Sequence, residues 1–165
     1  MIKVISNSTP IISLSIMKSL DLLLESFEVI IPREVYNEVV IYSNEGISGK
    51  LELENAVKRG SIIIYDIEDT YFVDKTYGHF HRGELEVIVA AKELKNLFVL
   101  IDERSCRRFA EDLMLKTIGT IGILKMAKLN GEIKEVRPLL DKLIARKIRI
   151  SEKLYLDTLK ELNEL

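Results

Sequence analysis

The sequence predicts an α/β fold in three layers, with a mostly parallel central sheet between helices. Two observations carry this. Short, nearly continuous apolar runs (Ile2 to Ser6, Val29 to Ile31, Ser61 to Tyr65 and Leu97 to Ile101) have the length and composition of strands buried on both faces. Between them lie longer stretches with apolar residues at helical spacing, opened by prolines, glycines or acidic residues. Strands that alternate with helices in this way build a parallel sheet through crossover connections.

Taken in order, Ile2 to Ser6 is a buried first strand. Thr9 is then read as an N-cap and Pro10 as the first helical residue, where a missing N–H costs nothing. Leu20 to Phe27 is a second short helix. Val29 to Ile31 is a strand stopped by Pro32, which also opens a helix through Val35, Tyr36, Val39 and Val40. Gly49 to Gly60 holds an amphipathic helix whose basic end and terminal glycine suit a helix C-terminus. Ser61 to Tyr65 is a strand. Asp66 to Arg82 has no clear periodicity, whereas Gly83-Glu84 begins a strong helix running through Leu94. Leu97 to Ile101 is a strand ended by Asp102, and a helix follows from about Glu103 to Met114. Gly119-Thr120 introduces another helix, up to Asn130-Gly131. Glu135 to Ile144 and Ser151 to Leu165 are terminal helices joined by Lys147 to Ile150. Neither a repeat nor a linker interrupts the chain, so residues 1–165 are expected to form a single domain, with the C-terminal helices from about 135 packed on it.

Apolar residues make up 47% and charged residues 30% of the 165, which is a globular and not a disordered composition. The net charge of −2 excludes a globally basic nucleic-acid binder, so any such contact must be local. The lone Cys106 excludes an internal disulfide and is read as a small apolar filler despite its neighbours Arg107 and Arg108. No run approaches the roughly 18 apolar residues of a membrane span, and the opening is too short for a signal peptide. A cytoplasmic protein is expected.

Asn7, Glu38, Glu84 and Asp102 are oxygen-bearing residues at the ends of separate elements. In a parallel sheet the carboxyl ends of strands share one edge, so the four can converge there. Carboxylates gathered at such an edge suit Mg²⁺ or Mn²⁺. Each also has a structural reading. Asp102 can cap the helix after it, worth about 1 kcal/mol. Glu84 suits the positive end of a helix dipole, and Glu38 can be a solvated residue. Glu86, two positions from Glu84 and about 200° around the helix, is expected to point elsewhere. Glu103 and Thr120 are further ligand candidates. With no glycine-rich phosphate loop and no nucleophile elbow after any strand, other small α/β enzymes are disfavoured.

Four blocks resemble the PIN-domain family. Val4-Ile5-Ser6-Asn7-Ser8-Thr9-Pro10-Ile11-Ile12-Ser13-Leu14 is similar to its opening, in which a strand delivers an acid followed by Ser or Thr. Ile31-Pro32-Arg33-Glu34-Val35-Tyr36-Asn37-Glu38-Val39, Gly83-Glu84-Leu85-Glu86 and Leu100-Ile101-Asp102-Glu103-Arg104 resemble the following blocks. Gly119-Thr120-Ile121-Gly122-Ile123-Leu124 and Ala127-Lys128-Leu129-Asn130-Gly131 resemble a later block of a prokaryotic branch near the toxin-type PIN ribonucleases. The resemblance implies a three-layer α/β/α PIN-like fold and divalent-metal-dependent cleavage of single-stranded RNA. It further implies that Glu38, Glu84 and Asp102 hold Mg²⁺ or Mn²⁺, with Ser8 positioning substrate. Nuclease-type members carry Asp where this chain has Asn7. An amide oxygen can ligate a hard cation but brings no charge. Two readings stand: a ribonuclease weakened at Asn7, or an inactive PIN-like module that binds RNA or a protein partner.

Arg104, Arg107 and Arg108 form a basic cluster, with Arg104 and Arg108 on one helical face. They are read equally as an RNA-backbone contact and as a solvated face. Tyr71, Phe72, Tyr77 and Phe80, interleaved with Lys75, His79, His81 and Arg82, can stack on unpaired bases or pack the segment onto the body. The resemblance also implies an antitoxin protein partner and a homodimer formed through helical surfaces.

Overall fold

The computed structural model describes residues 1–96 and 98–165. Its first strand, β1 (Ile2–Ser6), lies at the centre of the sheet. Helices α1 (Ser8–Ile16) and α2 (Leu20–Ser26) lead to β2 (Phe27–Pro32) beside it. α3 (Arg33–Tyr36) runs directly into a π-helical turn, Asn37–Ile41, and α4 (Lys50–Lys58) precedes β3 (Ile62–Tyr65). α5 (Thr70–Thr76) and α6 (Arg82–Glu93) then lead back across the sheet to β4 (Phe98–Leu100) on the other side of β1. α7 (Arg104–Asp112) and β5 (Lys116–Ile118) complete the sheet. α8 (Thr120–Leu129), α9 (Arg137–Ala145) and α10 (Glu152–Glu161) follow.

Among the described residues the five strands are all parallel, in the order β3-β2-β1-β4-β5. Right-handed crossovers put the connections up to β3 on one face and those toward β4 and β5 on the other. Accordingly α6 packs across β1, β2 and β4 with α5 beside it, while α1 packs against α2 and α4. α8 and α9 return to pack on α1. The fold is the three-layer α/β/α arrangement that the sequence predicts.

The strands are apolar because both faces are covered: Val4, Ile5, Ile31, Val99 and Leu100 have essentially no exposed surface. Leu23, Leu159 and Leu162 belong to this core, and Leu22 and Leu24 pack against it, so these leucines do not form a free helical surface. Two local expectations are corrected. α1 starts at Ser8 with Asn7 in the N-cap position, two residues earlier than a Thr9 cap requires, and Pro10 still falls in the first turn. Asp66 to Arg82, which shows no periodicity, contains α5, capped by the Asp69 side chain accepting from the Phe72 N–H at 3.2 Å. That helix is too short for a periodic signal, and its start rests on one cap. The predicted strand from Leu97 is observed from Phe98, Leu97 itself lying outside the described residues. Among the described residues no helix is long and apolar enough to cross a membrane.

Candidate active site

The chain moves outward from β1 to β3 on one side of the sheet and then adds β4 and β5 on the other. The crevice between the carboxyl ends of β1 and β4 is therefore the point where the connections diverge, the usual ligand position in a parallel sheet. Asn7 is the first residue after β1 and Asp102 the second after β4. The Asn7 N–H donates to the Leu100 carbonyl at 3.0 Å and ties the two strand ends together. The Asn7 side chain is buried, and its Oδ1 has no hydrogen-bond partner. An unpaired buried carbonyl oxygen costs free energy, and this one keeps its lone pairs available to a donor or a cation at the crevice.

Glu38 reaches the same region from the π-helical turn. Its Oε1 accepts from the Gly83 N–H at 3.1 Å, so its carboxylate lies on the first turn of the helix that carries Glu84. Gly83 has no unusual φ; it is needed for space. A β-carbon there would stand 2.5 Å from Glu38 Oε1 and 2.8 Å from Oε2. Burial pushes the Glu38 carboxyl above its usual range, and the Glu34 carboxylate adds to the rise. The neighbouring Ser8 hydroxyl and the Gly83 N–H oppose it. Ser8 thus stands beside Glu38.

Glu84 is buried, and one of its oxygens accepts from the His81 N–H at 2.9 Å, closing the start of α6. Its charge is felt by buried Cys106, whose thiol is pushed up to about 12, first by burial and then by Glu84 and Glu103. Arg107 and Arg108 do not activate this thiol, in keeping with its reading as an apolar filler. Glu86 does face a different side from Glu84, but it is not a bystander. It is buried, accepts from the Glu34 N–H at 3.1 Å, and is raised by burial and by the carboxylates of Glu34 and Glu38. The helical wheel missed this because it does not show that α3 packs on that side of α6.

Asp102 does not cap the helix that follows it. Glu103 does so, accepting from the Ser105 and Cys106 N–H groups at 3.0 and 2.7 Å. Asp102 instead reaches forward to α8, where Oδ1 accepts from the Thr120 N–H and Oδ2 from the Thr120 hydroxyl, both at 2.6 Å. Glu103 and Thr120, the further ligand candidates, are thus a helix cap and the partner of Asp102.

The donors suit a hard divalent cation in kind: carboxylate oxygens, one of them desolvated, and an unpartnered buried amide oxygen. They are not gathered. Among the described residues no three His, Cys, Asp or Glu side chains stand close enough to hold one ion. Asp102 lines a cavity of about 460 Å³ with Arg107 and Thr120, whereas Glu84 lines a different one of about 450 Å³ with His81 and Glu103. Glu38, Glu84 and Asp102 would hold a metal only by drawing together.

Of the other predicted residues, Arg104 and Arg108 line a shallow groove with Phe109 and Asp112, one that none of these acids lines. Arg107 turns the other way and lines the Asp102 cavity, and a β-carbon on Gly119 would stand 2.8 Å from Arg107 Nη1 and 3.1 Å from Asp102 Oδ1. Phe80 stacks on Phe109 with ring centroids 4.9 Å apart, packing the aromatic segment onto the body. Tyr77 and His79 stay exposed and line the Glu84 cavity. The residue that sequence reasoning passed over is Gly83. A glycine in the first turn of a helix, where its propensity is poor, was the signal available in the sequence, and its ordinary φ in the structure leaves close approach as the reason for it.

No curated protein matches this chain. A family model described as a PIN domain matches residues 3–164. With the all-parallel sheet, the divergence point and the residues delivered to it, this match shows that the chain belongs to the PIN-domain family, a nuclease-type superfamily.

Proposed function

We propose that this protein is a divalent-metal-dependent ribonuclease of PIN type that acts on single-stranded RNA, weakened by Asn7. The observation that carries this reading is the buried Asn7 Oδ1, left without a hydrogen-bond partner at the β1/β4 crevice. Divalent-metal dependence is general among PIN domains. Here Glu38, Glu84 and Asp102 would hold Mg²⁺ or Mn²⁺, with Asn7 as a neutral oxygen donor. Bound there, the ion would activate water and neutralise charge on the phosphate. The protein's own part is positioning. Gly83 holds the Glu38 carboxylate against α6, Ser8 stands beside it, and Thr120 fixes Asp102.

The second reading, a PIN-like module that binds RNA or a protein partner without cutting, is favoured by Asp102, both of whose oxygens are engaged by Thr120. A role as the toxin of a toxin–antitoxin pair and assembly as a homodimer belong to the proposal on the strength of family membership alone.

The test is cleavage of a mixed single-stranded RNA pool in Mn²⁺ and in Mg²⁺ by the wild type, Asn7→Asp and Glu38→Gln. The expected result is weak wild-type cleavage, stronger in Mn²⁺, raised about tenfold by Asn7→Asp and abolished by Glu38→Gln. RNA binding with no turnover in any variant would transfer the assignment to the binding module.

A further inference from the structure

The cavity of about 460 Å³ beside Asp102 is lined by side chains of two kinds. Ile121, Leu143, Ile148, Ile150 and Leu154 are apolar. The rest of the lining includes cations from three separate parts of the chain: Arg107 on α7, Lys125 on α8 and Arg149 on the connector before α10. Lys125 is paired with Glu161. Arg107 and Arg149 enter no ion pair among the described residues. The one carboxylate of the lining, Asp102, already accepts from the Thr120 N–H and hydroxyl, which offsets its repulsion of an anion.

Two guanidinium groups that enter no ion pair, sharing a space of this size with apolar side chains, match a small ligand with an anionic end and a flat apolar body. We propose that this cavity is a nucleoside-phosphate subsite, with Arg107 and Arg149 holding the phosphate and the apolar side chains of the lining receiving the base or sugar. It deepens the ribonuclease reading, and rests on it for the strand that would enter, by giving one nucleotide of the substrate a seat next to Asp102. Arg149 is thereby a ligand contact. The sequence offers it only as part of the connector between the terminal helices, because nothing local shows that this segment lines a cavity with α8.

The experiment is binding without chemistry. A short fluorescein-labelled oligouridylate is titrated with the full-length protein in EDTA, and uridine 5′-monophosphate is titrated separately by calorimetry. Both are repeated with Arg107→Ala, Arg149→Glu and Arg149→Lys. Arg149 is exposed, so its variants fold whatever their effect on binding. Arg107→Ala and Arg149→Glu are each expected to weaken both probes at least about tenfold, with Arg149→Lys retaining most of the affinity. Displacement of the mononucleotide by the oligonucleotide identifies the occupant as a nucleotide of a chain. Variant-sensitive binding of the mononucleotide without displacement identifies it as a free nucleotide, and both outcomes support the subsite. Wild-type affinity for both probes in Arg107→Ala and Arg149→Glu overturns it, including the case where the cavity takes a side chain of a protein partner instead. Absence of metal-dependent cleavage alongside variant-sensitive binding would remove the ribonuclease reading and leave the subsite standing. Normal cleavage with variant-insensitive binding would do the reverse.

Discussion

Gly83 and Glu38 show how much of this site depends on single atoms. In an isolated helix Gly→Ala is favourable by about 0.5–1 kcal/mol. Here the added methyl would occupy the position of the Glu38 carboxylate, at 2.5 Å from Oε1. The carboxylate is the end of a flexible side chain and can move aside cheaply, so the helix gain and the displacement nearly cancel in stability. Gly83→Ala is therefore expected to keep its melting temperature within about 3 °C of wild type while losing about 100-fold in cleavage, the scale of misplacing a reacting group by about 1 Å. Thermal melts and RNA cleavage on the same preparation check this. An active Gly83→Ala would mean that the placement of Glu38 against α6 does not matter to function.

At the scale of elements, the acids of this chain are reciprocal helix caps. Glu38, beyond α3, accepts from the first turn of α6, and Glu86 of α6 accepts from the first turn of α3. Asp102 does the same for α8. Glu164, near the C-terminus, accepts from the Val136 and Arg137 N–H groups at 2.7 and 2.8 Å and from Lys128 Nζ at 2.6 Å, locking α9 and α8 to the chain end. Burial raises the Glu164 carboxyl, but Lys128 and the two N–H groups outweigh it, so its pKa is held below the usual range. A carboxyl whose folded pKa is depressed stabilises the fold above its unfolded value and loses that contribution as pH falls through the folded one. Glu164→Ala is expected to cost about 1–2 kcal/mol at neutral pH, or about 3–6 °C in melting temperature. The gap from wild type should shrink as pH falls below the carboxylate range. A constant gap would show that packing, and not the carboxylate, holds the C-terminus.

Over the whole molecule the pattern is one of opposed fields. Glu34, Glu38 and Glu86 crowd one another where α3 meets α6, while Arg107 and Arg149 face the cavity beyond Asp102. The near-neutral total hides this separation. Asn7 sits at the crevice of the sheet, and its neutrality spares the fold one more buried charge. Asn7→Asp is expected to lower the melting temperature without metal by roughly 5 °C, because a buried carboxylate without a partner is costly. Millimolar Mn²⁺ should restore it through preferential binding to the folded state, and should raise the wild type less. Melts with Mn²⁺ and with EDTA decide this; a variant indifferent to metal would argue that Asn7 Oδ1 does not face a cation site.

The sequence by itself determined the layered α/β architecture, because apolar runs of strand length between helical stretches have few other solutions. It also carried Asn7 and Asp102 to strand ends, since the residue following a buried parallel strand falls at one edge of the sheet. Helices whose starts rest on a single cap, such as α5, were not legible, because one side chain gives no periodicity. Only the tertiary structure decided which partner each carboxylate found. Glu86 was set aside by helical geometry, yet it meets Glu34 because α3 packs there. Asp102, for which capping its own helix was the alternative to a ligand role, bonds to Thr120, 18 residues on. Those pairings depend on the relative placement of helices distant in sequence, and no local pattern encodes that placement.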